Sequence, residues 1–223
     1  MDRVEVLDFT RSFAALTAEQ YLREILRDRF GVTTLLMGYD NRLGSDRLTA
    51  DKLRSIADAD GIDLIELEPF GMDVHPSQTH ISSTIIRKSL EEGKVEEAEE
   101  MLGYGYALKG VVVAGNRLGR TIGFPTAYMR LYEPLKLVPG RGVYAVEAEV
   151  LGKKYRGMTN IGLRPTVGGS FTTIETHILD FDEDIYGLPL RITFLRRLRD
   201  EVHFPSSEAL KEQLEKDRDC CRE

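Results

Sequence analysis

The feature that most limits what this chain folds into is a change of hydrophobic period at Gly103-Tyr104-Gly105. Before it, short apolar runs alternate with stretches whose apolar residues recur at helical spacing, the pattern of a parallel-sheet α/β unit. After it, period-two alternation takes over, the pattern of an antiparallel barrel. In the first part, residues 4–7, 33–37 and 63–67 read as strands. Thr17 opens a helix: its Thr-x-x-Gln spacing to Gln20 allows a capping box, Tyr21, Leu22, Ile25 and Leu26 follow as apolar residues, and Gly31 stops it. A second helix spans 48–59. Ser82 and Ser83 cap a helix carrying Ile85, Ile86 and Leu90, and Gly93 separates it from another through Val95, Ala98, Met101 and Leu102.

Beyond Gly105, residues 106–113, 143–150, 155–161, 172–178 and 190–194 read as strands, with a turn near Leu151-Gly152-Lys153 joining the second to the third. A helix capped near Ser206 or Ser207 closes the chain, its Leu210 and Leu214 four apart on one face. The expected organisation is an α/β domain over 1–102 and a barrel domain with a C-terminal helix over 103–223. No internal repeat or low-complexity segment interrupts either part.

Composition narrows the functional classes. With 42% hydrophobic residues in 223, the chain can bury real cores, yet no apolar run approaches the roughly 20 residues that cross a bilayer. The opening Met1-Asp2-Arg3-Val4-Glu5 is unlike a signal peptide, so the expected location is cytoplasmic and no membrane partner is expected. A formal charge of -7 argues against nucleic-acid binding, although Arg191, Arg196, Arg197 and Arg199 form either a solvated strand face or a patch for a small anion. Cys220 and Cys221 are adjacent and support neither a disulfide framework nor a spaced metal site. Nothing in the sequence sets an oligomeric state.

Two segments carry candidate chemistry. The string from Gly115 to Thr126, Gly-Asn-Arg-Leu-Gly-Arg-Thr-Ile-Gly-Phe-Pro-Thr, has three glycines at intervals of four, two arginines and a hydroxyl behind a proline. Such glycines let backbone N–H groups approach phosphate oxygens, and arginine adds bidentate bonds; the same string also suits a long inter-strand loop. It is not a Walker A loop. In Thr173-Ile174-Glu175-Thr176-His177-Ile178, strand alternation puts Glu175 and His177 on one face, either towards a cavity or towards solvent. Nothing gives His177 metal-ligand spacing.

Taken in order, Gly119-Arg120 to Thr126, Gly142-Val143-Tyr144-Ala145-Val146, Asn160 to Thr166, Glu175-Thr176-His177-Ile178 and Tyr186-Gly187 resemble the riboflavin kinase family across about residues 103 to 220. The resemblance implies a Greek-key β-barrel that transfers the γ-phosphate of ATP to riboflavin, yielding FMN and ADP, with Mg²⁺ as cofactor. By the same resemblance Glu175 is the base that takes the substrate hydroxyl proton, and Thr126 supplies a hydroxyl to Mg²⁺. Gly115, Arg120, Thr126 and Tyr186 would border the nucleotide, while Arg199, Phe204 and Asp217 would hold the flavin. These roles suit phosphoryl transfer, in which positioning and charge stabilisation dominate. One departure stands out: the family's Pro-Thr-Ala-Asn reads Pro125-Thr126-Ala127-Tyr128 here, which replaces an amide oxygen near the metal. Mg²⁺ keeps several waters and leans on substrate phosphates, so the loss need not abolish binding.

The first part resembles the adenylyltransferase domain, a nucleotidyltransferase-like fold, that precedes the kinase in bacterial bifunctional FAD synthetases. The matching strings are Gly38-Tyr39-Asp40-Asn41-Arg42-Leu43-Gly44 and Ile81-Ser82-Ser83-Thr84-Ile85-Ile86-Arg87. Ser82, Ser83 and Arg87 fall at a helix N-terminus and one turn on, a place suited to a nucleotide phosphate and equally to ordinary capping. Family members open with a loop containing His-x-Gly-His, and His75, His80, His177 and His203 form no such pair. The expectation is a partial adenylyltransferase domain lacking its first strand and helix, with FAD synthesis lost and riboflavin phosphorylation kept. Two other readings stay open: a bifunctional FAD synthetase of which these residues are a piece, and a flavin- or nucleotide-binding protein without catalysis.

Overall fold

The computed structural model describes residues 3–68, 81–115, 118–166 and 169–222. Asn116 and Arg117 of the glycine-rich string, and His75 and His80, lie outside the described residues. The chain divides into two compact units, Met1–His80 and Ile81–Glu223.

In the first unit, Thr10 caps the short α1 (Arg11–Ala14), and Thr17 and Gln20 form the expected capping box at the start of α2 (Ala18–Gln20). The helix continues as a wider-wound π-helix over Tyr21–Arg29. Strand β1 (Thr34–Gly38) pairs in parallel with β2 (Asp63–Leu67), connected through α3 (Ala50–Ala59). Leu22, Leu53, Ala57, Ile62 and Leu64 pack between helices and sheet, while Leu36 and Ile65, opposed in register, stay exposed on the other face. Asp60, buried at the end of α3, accepts from Arg23 Nε at 3.0 Å and from Arg27. Residues 4–7 are not a strand. Val4 and Val6 are 71% and 89% exposed, and without a neighbouring strand an extended run leaves its N–H and C=O groups to water.

The second unit begins earlier than the change of period suggested. Helices α4 (Ser83–Glu91) and α5 (Val95–Leu102) belong with the barrel, because their Leu90, Val95 and Ala98 are buried in its core. Gly93, at φ +77°, joins the two helices, and a Cβ there would stand 2.6 Å from the Tyr144 hydroxyl, so only glycine lets the helix pair seat. Six strands then close in the order β3 (Ala107–Val113), β4 (Ala127–Leu131), β7 (Gly169–Ile178), β6 (Lys153–Thr166), β5 (Gly142–Val150), β8 (Pro189–Arg199), every pairing antiparallel. Strands β5, β6 and β7 follow one another and β8 returns beside β5, the Greek-key arrangement.

The alternation works as the sequence requires. Tyr144, Val146, Ala148 and Val150 on β5, and Leu190, Ile192 and Phe194 on β8, fill the barrel. Each of the larger aliphatic and Phe side chains among them contributes about 1.5–3 kcal/mol by leaving water. Inside, the hydroxyls of Thr159 and Thr176 satisfy one another at 2.8 Å, both fully buried. Three elements were not foreseen: α1 in the first unit, and β4 and the one-turn α6 (Leu118–Thr121) here. The closing helix α7 (Ser207–Arg222) is capped by Ser206, whose hydroxyl accepts from the Ala209 N–H at 3.2 Å. Its Leu214 and Cys221 lie against Ala145, Met158 and Phe124 on the outside of the barrel.

Candidate active site

Directly opposed residues of antiparallel strands share a face. Across five strands the register therefore sets Tyr128 beside Glu175, Glu175 beside Asn160, Asn160 beside Val143, and Val143 beside Arg199. This row runs over the outside of the barrel, since Thr176, Thr159 and Tyr144 of the adjoining row are fully buried. Glu175 and Arg199 are three strand steps of about 4.8 Å apart, or roughly 14 Å along the row. The surface between them is the floor of a cleft of about 870 Å³, walled by the Glu201–Ser207 segment and the start of α7.

One end of the cleft is built for charge and a flat partner. Asp217, on α7 and 4% exposed, accepts from Arg199 Nε at 3.1 and 3.0 Å and from Nη2 at 2.8 Å, and Gln213 donates to it at 2.8 Å. The guanidinium so fixed lies over the Phe204 ring, 5.5 Å from its centroid. Arg199 and Phe204 line the cleft; Asp217 does not line it and lies behind Arg199. Glu201 joins the wall close to β6, where a Cβ on Gly162 would meet its carboxylate at 2.3 Å.

At the other end stand Glu175 and His177, both half-buried. His177 Nδ1 lies 2.8 Å from the Pro125 carbonyl oxygen, which can only accept, so Nδ1 carries the hydrogen. Burial holds its pKa below the ordinary histidine value; the Pro125 bond opposes that shift, and Arg218 adds to it. Phe124, buried beneath, meets the His177 ring edge-on with centroids 5.2 Å apart.

A second, smaller cleft of about 290 Å³ opens beside the first and is lined by Arg120, Pro125, Thr126, Tyr186 and the acidic Asp182, Glu183 and Asp184. Thr126 borders both clefts. The glycines of the preceding string have backbone reasons of their own. A Cβ on Gly119 would stand 2.2 Å from the Phe124 carbonyl oxygen, and Gly123 adopts φ +86°. Gly115 packs against Tyr128 and lines neither cleft.

Ser82, Ser83 and Arg87 stand apart from both clefts. The Ser82 hydroxyl caps α4, accepting from the Ile85 N–H at 3.4 Å, and Ser83 and Arg87 are exposed on that helix. Residues that the sequence left unassigned but the structure brings to the larger cleft include Asn160, Glu201 and His203. Asn160 was findable, since the register that follows from the turn after β5 opposes it to Val143. Glu201 and His203 come from an irregular segment with no such signal.

Two family models match the chain: riboflavin kinase over residues 102–223, and FAD synthetase over residues 1–85. The chain belongs to the bifunctional riboflavin kinase/FMN adenylyltransferase family. Within that family, the enzyme of that name from Haemophilus influenzae is 37% identical over 219 residues, which span 97% of this chain and 69% of that protein. The Escherichia coli (strain K12) enzyme is 38% identical over 230 residues, spanning all of this chain and 70% of the relative. A crystal structure described as a macrolide-efflux protein from Streptococcus pneumoniae shares the fold, with a TM-score of 0.86 and 36% identity over 96% of this chain and 68% of that one. The family's two-part organisation is thus matched over both parts of the chain. Among the described residues, no helix is long and apolar enough to cross a membrane.

Proposed function

We propose that the barrel unit phosphorylates riboflavin, with the flavin in the larger cleft and ATP in the smaller, and that the two meet at Thr126. The observation that carries this reading is the sharing of Thr126 by both clefts, with Glu175 lining the larger one and paired in register beside β4. The terminal hydroxyl of the flavin side chain lies at the Glu175 end, and the ring at the Arg199 end. The Glu175 carboxylate takes the hydroxyl proton as the oxygen attacks the γ-phosphorus; the bond from that phosphorus to the β,γ-bridging oxygen breaks, and ADP leaves. Arg120 and the backbone near Gly119 border the phosphates, Tyr186 the base, and Arg199 and Phe204 the flavin ring, with Asp217 holding Arg199 in place.

Mg²⁺ suits this donor set. Such an ion is commonly carried by substrate phosphates and water with one or two protein oxygens, and the Thr126 hydroxyl at the junction of the clefts is one such oxygen. Thr126 would supply a hydroxyl oxygen, and the ion would neutralise charge developing on the phosphates. Incubation with riboflavin and MgATP, followed by separation of the flavins, tests the reading: FMN and ADP should appear in equal amounts, and absence of FMN would reject it.

The FAD synthetase match over residues 1–85 points to a second activity, adenylylation of FMN. Ser82, Ser83 and Arg87 would face the nucleotide there. The 223 residues contain no His-x-Gly-His, and we propose that by themselves they do not make FAD, since the remaining groups supply too little phosphate stabilisation. FAD formed from FMN and MgATP by the purified chain would contradict this.

A further inference from the structure

The backbone ladder between β4 and β7 is short. It pairs Ala127 with Thr176 and Tyr128 with Glu175, and stops there. Continuing the same register would bring Thr126 opposite His177, and at that point the connection passes from the backbone to a side chain: His177 Nδ1–H donates to the Pro125 carbonyl at 2.8 Å. The proline ring fixes φ at Pro125, which leaves ψ as the torsion that turns the Pro125–Thr126 peptide, and the His177 bond to the Pro125 carbonyl restrains that rotation. On its other side, Phe124 is anchored in the cluster under α7 and meets the His177 ring edge-on. Thr126 is thus bracketed by a buried aromatic and a histidine bond before it and by two register pairs after it.

The residue bracketed in this way is the one that borders both clefts, and the strand that supplies the histidine also supplies Glu175, two positions away on the same face. We propose that His177 is a positioning residue for phosphoryl transfer: by holding the Pro125 carbonyl it sets the Thr126 hydroxyl against Glu175 across the junction of the clefts. The inference rests on the assignment of flavin and nucleotide to those clefts. The role is one of orientation: the Nδ1–H bond to the Pro125 carbonyl is one that both the neutral and the protonated ring can make.

The side chains of Asn and Gln separate this role from others. Asn places its amide N–H near the position of Nδ1, Gln places one near Nε2, and Phe keeps a ring with no donor. Misplacement of a reacting group by about 1 Å costs on the order of 100-fold in rate. His177→Phe and His177→Gln should therefore lower kcat by roughly 10- to 100-fold and raise the MgATP concentration for half-saturation, with riboflavin KM within about two-fold. His177→Asn should recover most of kcat. Thermal unfolding of all three variants controls for loss of fold, and riboflavin binding is read from quenching of flavin fluorescence.

If folded Phe and Gln variants turn over like the parent, or if Asn is as impaired as Phe, the positioning role is overturned. If Gln is active and Asn is not, Nε2 carries the function and the role is likewise overturned. Should the parent chain neither bind nor phosphorylate riboflavin, the assignment of the clefts fails and this inference falls with it; an active parent with insensitive variants sinks the inference alone.

Discussion

Tyr128 of β4 and Glu175 of β7 are register partners, so their side chains leave the barrel on the same face, one strand apart. The family resemblance puts an asparagine amide where Tyr128 stands. A phenol is a poorer ligand than an amide oxygen for a hard cation that favours near-octahedral oxygen geometry, so water would take that coordination position here. Tyr128→Asn should lower the Mg²⁺ concentration for half-maximal kinase activity several-fold, about 1 kcal/mol, with little effect on riboflavin KM. A Mg²⁺ titration at fixed ATP checks this, and an unchanged or higher midpoint would mean that Tyr128 does not stand in for a ligand.

Asp217 holds Arg199 at one end of the larger cleft, the end proposed for the flavin ring. Its carboxylate is 4% exposed and the Arg199 side chain 18%, so neutralising one partner leaves the other poorly solvated. Asp217→Asn should raise riboflavin KM more than it lowers kcat, because the Arg199 guanidinium loses its fixed place over Phe204. Breaking a fully buried pair costs about 3–5 kcal/mol; with Arg199 able to reach solvent, the loss should be nearer 2 kcal/mol in urea unfolding. A stability loss with riboflavin KM unchanged would confine Asp217 to the fold.

The two cysteines differ in exposure. Cys221 is buried against the barrel, and that burial, with the Asp217 carboxylate adding to it, pushes its pKa up to about 11, whereas Cys220 is exposed. A thiolate-specific reagent at pH 8 should label one thiol per native chain quickly and the second only after denaturation. Two fast thiols would show that the end of α7 does not stay docked.

Much of this architecture was legible in the sequence because it rests on periodicity and caps. The capping box at Thr17, the β2 strand and the inward faces of β5 and β8 follow from spacing alone. What was not legible depended on partners distant in the chain. Residues 4–7 have strand composition but pair with no strand among the described residues. Strand β4 is only five residues long, with Met129 its one fully buried side chain, too little alternation to stand out. The helix pair before Gly103 joins the barrel because Gly93 fits under Tyr144, a contact that no local pattern announces. In the site, alternation put Glu175 and His177 on one face, but that His177 bonds Pro125, and that Asp217 sits behind Arg199 and not in the cleft, are consequences of tertiary packing.

The central claim is that Glu175 takes the riboflavin hydroxyl proton at the junction of the clefts, and the rate of FMN formation by Glu175→Gln tests it most directly. Glu175 is half-buried on the outer face of the barrel, so the substitution should leave thermal unfolding and riboflavin binding close to those of the parent. Removing a general base costs about 10²- to 10⁴-fold. A fall of that size in kcat, with flavin fluorescence still quenched on binding, is the predicted result; a folded variant that turns riboflavin over at near the parental rate would contradict the account.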